Sequence, residues 1–372
     1  MKYVDEFRDP TKAQALVTDI RRLLPRIPAS HGRPLQIMEV CGGHTHTIFR
    51  YGIPQMLPDD VEFVHGPGCP VCVLPMGRVD DAVALAERPE VIFTTFGDAM
   101  RVPGSRKSLL RAKADGADVR TVYSPLDALT IAKDNPDREV IFFGLGFETT
   151  MPGTAMTLIQ ARRQGIGNFS LFCNHITIIP TLRSMLAAPD LRLDGLLGPG
   201  HVSVVIGTRP YEFIPREHHR PIVIAGFEPL DLLQATWMVL RQLAEGQRAV
   251  ENQYARAVTP GGNPRALAAI EDVFETRPFF EWRGLGSIDH SGVRIREPYA
   301  AFDAERKFAV PNVAIADPGE CQCGQVLTGA IRPPQCRLFG TVCTPETPLG
   351  ALMVSTEGAC AAQYSYGRRV HA

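Results

Sequence analysis

Residues 140–165, VIFFGLG followed by FETTMPGTAMTLIQARRQG, decide the fold class. An uncharged apolar run offers water no polar face, so it must be covered on both sides, as the strands of parallel sheets are. A glycine, a carboxylate and two threonines then make a turn, and a helical stretch follows. The same order of strand, glycine-rich turn and helix recurs outward from this point. Upstream it reads LQIMEV then CGGHTH (35–46), VEFVH then GPGCPVC (61–72), and VIFTTF then GDAMRVPG (91–104). Downstream it reads FSLFCN then HITIIP (169–180), and PIVIAG then FEPLDLLQATWMVLRQLAEG (221–246). Such repetition implies right-handed β-α-β crossovers. The expected fold class is α/β, with two similar parallel-sheet α/β domains facing a cleft and a smaller C-terminal domain.

The unusual polar motifs all follow strands, and open parallel sheets bind ligands beyond the carboxyl ends of their strands. Residues 35–132 and 133–246 are the expected α/β domains I and II, with KDNPDRE (133–139) as the link. The likeness is one of pattern, without a residue-level repeat. A helix is expected over 13–24. Past residue 246 helices are expected over 247–258 and 265–275, separated by the turn TPGGNP (259–264). From 311 onward proline and glycine are frequent and strands short. A segment with so little core that still carries five cysteines is expected to be held by a metal centre.

Eight of the nine cysteines fall in three groups, and only Cys173 reads as an ordinary buried residue. Thiolates bind soft metals, attack electrophiles and exchange disulfides, none of which core packing requires. Cys41-Gly-Gly-His44-Thr-His46 joins a strand to a helix. Its cysteine and histidines could ligate iron or zinc, or pair a nucleophile with an imidazole base, and a plain glycine-rich turn is the bland alternative. Cys69-Pro-Val-Cys72 is a CxxC suited to thiol–disulfide exchange, with half a zinc knuckle or an inert turn as alternatives. His65, just before it, is either a proton partner or a strand-end residue. Cys321, Cys323, Cys336, Cys343 and Cys360 form the third group. The last four stand at 323, 336, 343 and 360, and this irregular spacing favours an iron–sulfur cluster over a structural zinc site. Five cysteines compete there for four positions.

The turn Gly146-Phe-Glu148-Thr149-Thr150 offers hydroxyl and N–H groups to an anion, and Glu148 could act as base, ligand or cap. It lacks the lysine of a phosphate-binding loop. Asp98, Asn174, His175, His201 and Glu228 occupy comparable strand ends and jointly suggest a polar cleft.

Composition excludes some classes. A formal net charge of -1 and the lack of a Lys/Arg-rich run argue against a nucleic-acid arm. No apolar stretch approaches the ~20 residues of a membrane span. MKYVDEFRDP does not read as a signal peptide, so a reducing cytoplasm is the expected setting, where clustered cysteines bind metals or catalyse.

Together the motifs resemble one family, the NiFe-hydrogenase maturation factor HypD family. The strings that carry the resemblance are CGGHTHT (41–47), HGPGCPVC (65–72), TFGDAMRVPG (95–104), GFETTMPGTA (146–155), CNH (173–175), GPGHVS (198–203), AGFEP (225–229), CGQVLTG (323–329), CRLFGTVCTP (336–345) and MVSTEGACAAQY (353–364). They cover essentially the whole chain. The resemblance implies a third domain that combines residues 1–34 with 247–372 and holds a 4Fe–4S cluster on Cys323, Cys336, Cys343 and Cys360, with Cys321 as an extra. It implies a scaffold for assembly of the Fe(CN)2CO group of the hydrogenase, shared with the small chaperone HypC and supplied with cyanide by HypE and, upstream, HypF. Cys41 then becomes the ligand of the iron that transiently carries cyanide and CO, with His44 beside it. Cys69 and Cys72 become the thiol pair that passes electrons, and the Glu148 turn becomes part of the cleft or the HypC contact. A monomer is expected before complex formation. Two alternatives from the residues are an iron–sulfur-dependent thiol–disulfide oxidoreductase and a zinc hydrolase using Cys41, His44 and His46.

Overall fold

The computed structural model describes residues 5–28, 32–189, 191–317 and 319–367. Nine strands build two sheets: β1 (Leu35–Glu39), β2 (Val61–His65), β3 (Val91–Thr95), β4 (Val119–Thr121), β5 (Glu139–Gly146), β6 (Phe169–His175), β7 (Gly195–Pro199), β8 (Ile222–Ala225) and β9 (Val250–Asn252). One sheet runs β2-β1-β7-β8-β9 and the other β4-β3-β5-β6. Every pairing within them is parallel. Phe142 and Phe143 explain why β5 reads as a continuous apolar run. They are neighbours on one strand, so they point to opposite faces, and both are fully buried. Phe143 stacks on Phe172 of β6, while Phe142 packs with Leu158 and Leu171 on the other face.

The two sheets share one internal order, second-first-third-fourth. In each the order reverses once, between β1 and β7 and between β3 and β5, and such a reversal opens a crevice beyond the strand ends. The likeness of the two units is therefore topological. Their division along the chain differs from the contiguous segments 35–132 and 133–246. The chain lays down β1 and β2, completes the whole second sheet, and returns to add β7, β8 and β9 to the first. Residue 133 falls between β4 and β5, inside the second unit.

The N-terminal helix Pro10–Leu23 buries Ala13, Val17, Ile20 and Leu23 in one core with Leu232 and Leu233 of the helix Pro229–Ala244. Arg8 also pairs with Glu228. This part of 1–34 thus packs on the first sheet. A helix follows at Pro264–Val273, but 247–258 is not helical. Val250–Asn252 instead pairs with β8, whose open edge satisfies its backbone, and tertiary pairing overrides the local helix preference of that stretch.

Beyond it lie two small antiparallel pairs, Phe274–Thr276 with Val293–Ile295 and Phe279–Trp282 with Gly286–Asp289. The cysteine-bearing part holds only short helices, Cys323–Leu327 and Ala359–Tyr366, among turns. The helix Ala359–Tyr366 packs against the helix Gly42–Arg50 that follows Cys41. Among the described residues no helix is long and apolar enough to cross a membrane.

Candidate functional site

The two topological reversals face each other across a cavity of about 280 Å³. From the first sheet come Cys41, Gly68 and His201. Asp98, Thr149 and Thr150 come from the second, and Glu357 closes the cavity from the C-terminal segment.

Cys41 stands in extended backbone as the N-terminal cap of the helix Gly42–Arg50. Its carbonyl accepts from the N–H groups of His44 (2.8 Å) and Thr45 (3.2 Å). The loop is set by Glu39, fully buried at the end of β1. That carboxylate accepts from the Cys41 N–H (2.9 Å) and from the Thr45 hydroxyl, and pairs with His65 Nδ1 at 2.9 Å. Burial pushes the Cys41 thiol up to about 12, with the negative charges of Glu357 and Glu39 adding to it. The proton therefore stays on sulfur until a cation replaces it.

The three cysteine groups meet along one line. Gly68 lies so close to Cys41 that a Cβ there would overlap the backbone of Val40 and Cys41, and its carbonyl accepts from Gly42 N–H at 3.1 Å. One residue on, Cys69 and Cys72 are joined as a buried disulfide. A Cβ on Gly42 would meet Glu357 at 2.6 Å, and a Cβ on Gly358 would meet Cys72 Sγ at 3.0 Å. Glu357 and Gly358 thus touch both the Cys41 loop and the disulfide, and Cys360 is two residues further.

Around Cys360 the remaining thiols gather. Its proton affinity is raised by burial and then by the charges of Cys343, Cys336 and Cys321. Cys321 and Cys323 share an S–H···S hydrogen bond of 3.1 Å. That bond favours loss of the first proton and opposes loss of the second, so Cys321 is lowered and Cys323 raised. Among the described residues no three His, Cys, Asp or Glu side chains are gathered tightly enough to hold a single metal ion. The fit to an iron–sulfur cluster rests on donor chemistry: a set of soft, mostly buried thiols that feel one another's charge.

Residues 11–367 match the family model HypD, described as the hydrogenase formation hypA family. Among relatives, the hydrogenase maturation factor HypD of Rhodobacter capsulatus is 59% identical over 371 residues, covering 99% of this chain and 98% of its own. The hydrogenase maturation factor HypD of Escherichia coli K12 is 57% identical over 366 residues, covering 98% of each chain. This chain belongs to the HypD family.

Within the HypD fold, the histidines and carboxylates singled out in the sequence take different places. His44 is fully buried, its Nε2 3.1 Å from the Ala225 carbonyl and its ring 4.9 Å from Phe227, with Nδ1 left without a hydrogen-bond partner. Burial lowers its proton affinity, so it stays neutral. His46 turns to Tyr366, 5.5 Å away, so the two histidines do not converge with Cys41 and a zinc site of these three residues is not formed. Glu148 does not line the cavity. It accepts the Ile178 N–H at 3.0 Å at the start of the helix Ile178–Leu186, while its neighbours Thr149 and Thr150 face the cleft. Burial raises Glu148 to about 7.

His175 braces this turn, with Nδ1 3.3 Å from the Thr150 hydroxyl and Nε2 3.1 Å from that of Thr154. Asn174 holds the buried Arg78, and Cys173 packs as an inert thiol. Asp98 and His201 line the cleft, whereas Glu228 caps the helix Pro229–Ala244. Two HypD residues escaped the sequence reading. Glu39 was visible as a charge inside the buried strand LQIMEV, where a carboxylate needs partners. Glu357 lay inside the string MVSTEGACAAQY (353–364), but nothing local marked it as facing Cys41.

Proposed function

We propose that this chain is a hydrogenase maturation factor on which the Fe(CN)2CO group is assembled, with Cys41 anchoring the iron as substrate. The carrying observation is the contact line from Cys41 through Gly68 and the Cys69–Cys72 disulfide to Gly358 and Cys360. A lone anchor would not need a disulfide packed against its backbone, nor a ring of thiols two residues beyond that.

In this reading Cys323, Cys336, Cys343 and Cys360 hold a 4Fe–4S cluster, which supplies electrons to the disulfide. The reduced pair Cys69/Cys72 can then cleave a thiocyanate group. The S–C bond breaks, the two thiols give up two electrons and two protons, and a thiol, hydrogen cyanide and the closed disulfide result. His201, stacked on Phe227 with ring centroids 3.7 Å apart, and Asp98 bound the space in which the iron would sit. HypC shares the iron, HypE delivers cyanide received through HypF, and the chain works as a cytoplasmic monomer before complex formation.

The test is infrared spectroscopy of the anaerobically purified chain with HypC. Bands of iron-bound cyanide and CO are expected for the wild type and absent from Cys41→Ser. Their persistence in the variant would remove Cys41 as the anchor.

A further inference from the structure

We infer that Cys321 is a sacrificial thiol, which is oxidised first when the cluster site is empty, closes a reversible disulfide with Cys323 and so preserves Cys323 as a ligand. The inference rests on the reading of Cys323 as a cluster ligand, under which a fifth cysteine has no coordination role. Geometry supplies one. The two sulfurs are 3.1 Å apart, about 1 Å longer than an S–S bond. Gly350 lies directly against the pair, and a Cβ there would meet Cys323 Sγ at 2.6 Å and Cys321 Sγ at 2.8 Å. The side of the pair at Gly350 is thus closed by backbone, which holds the sulfurs in register. The other side is open. Cys321 is half-buried and, with Cys323, lines a cavity of about 860 Å³ together with Gln322 and Arg337. A small oxidant reaches Cys321 there, whereas Cys336, Cys343 and Cys360 line no part of this cavity.

The chemistry balances with a hydroperoxide as oxidant. The Cys321 sulfur attacks the O–O bond of hydrogen peroxide, which breaks to release hydroxide and leave a sulfenic acid. The Cys323 sulfur then attacks Cys321, the S–O bond breaks, and water leaves. Two thiols and one peroxide become one disulfide and two waters. A dithiol reverses the step by exchange, whereas an unresolved sulfenic acid goes on to sulfinic and sulfonic acids, neither of which a dithiol reduces.

The experiment uses the full-length chain, as wild type, Cys321→Ser and Cys321→Ala. Each is loaded anaerobically with iron and sulfide, stripped by a chelator, exposed to hydrogen peroxide, alkylated, and mapped by mass spectrometry. Iron and sulfide uptake is then measured after dithiothreitol. The wild type is expected to yield a peptide lighter by two hydrogens that joins Cys321 to Cys323, and to regain its full iron after reduction. Both variants should load iron like the wild type before oxidation. After oxidation they should carry sulfinic or sulfonic acid at Cys323 and lose iron uptake several-fold. Three results would overturn the inference: both cysteines alkylated after peroxide, Cys323 bonded to Cys336, Cys343 or Cys360, or variants that fail to load iron before any oxidation. A wild type that never loads iron and sulfide would refute the cluster reading instead, and the pairing map would still decide whether oxidised Cys321 is closed onto Cys323.

Discussion

Replacing Gly68 with alanine tests the junction on which the site depends. The new Cβ would overlap backbone atoms of Val40 and Cys41, so no side chain can swing away to make room. The two loops must separate, and a separation of about 1 Å stretches the Gly42 N–H···O=C Gly68 bond from 3.1 Å beyond hydrogen-bond range. Overpacking costs about 1–3 kcal/mol and the lost hydrogen bond about 1 kcal/mol, which together predict a destabilisation of about 2–4 kcal/mol. Gly153→Ala is the control. Gly153 lies in the helix Met151–Arg163, with nothing within 4 Å of an added Cβ, so the same methyl should stabilise by about 0.5–1 kcal/mol. Urea unfolding of both variants gives the comparison, read as midpoint shifts at unchanged slope. Alkylation of Cys41, only 7% exposed in the intact junction, should also speed up in Gly68→Ala. If Gly68→Ala shifts the midpoint no more than Gly153→Ala and Cys41 stays protected, the close approach does not hold the site together.

Other expectations follow from buried charges. Glu148 is raised from 4.5 to about 7 in the fold, so the folded chain keeps a proton that the unfolded chain has lost. Stability must then fall as pH rises from about 4.5 to about 7, and Glu148→Gln should flatten that part of the stability–pH curve; equal slopes would show that the carboxyl is not the cause. Arg78 donates to Asn174, Asn312, the Cys173 carbonyl and Glu305, and lies 4.3 Å from the Phe172 ring centroid. Arg78→Met strands these acceptors and should cost about 3–5 kcal/mol in urea unfolding, and a loss under about 1 kcal/mol would refute the clamp.

Arg78 also shows where sequence reading stops. It follows the CxxC loop in the chain, and its partners lie on β6, at Glu305 and at Asn312, which no local pattern could pair with it. The alternation of apolar run, glycine turn and helix was legible because it obeys short-range rules: a strand buried on both faces is mostly apolar, since a charge there needs partners as Glu39 does, and the tight turn after it favours glycine. The turns around the cavity were legible for the same reason, since Cys41, the Cys69–Cys72 pair and Thr149–Thr150 all follow such strands. The helix expected at 247–258 failed because the open edge of β8 offers that stretch a ladder, and an edge is a property of the assembled sheet. Among the roles open to Glu148, base, ligand or cap, the sequence could not choose, because neighbours in a turn point in different directions, and only the packing of the helix Ile178–Leu186 decides which of them meets the cleft.

The residue order of this chain therefore set six of its nine sheet strands, their parallel class and the placing of its cysteines in three groups, all consequences of backbone and side-chain preferences acting over a few positions. Tertiary structure decided which sheet each strand joined, since a crossover long enough to return to one sheet can equally reach another. It also decided that Glu357 and Gly358 bridge Cys41 to Cys72 and lead to Cys360. That junction depends on backbones brought close by three separate stretches of chain, and close approach across a fold leaves no trace in local sequence beyond the glycines that permit it.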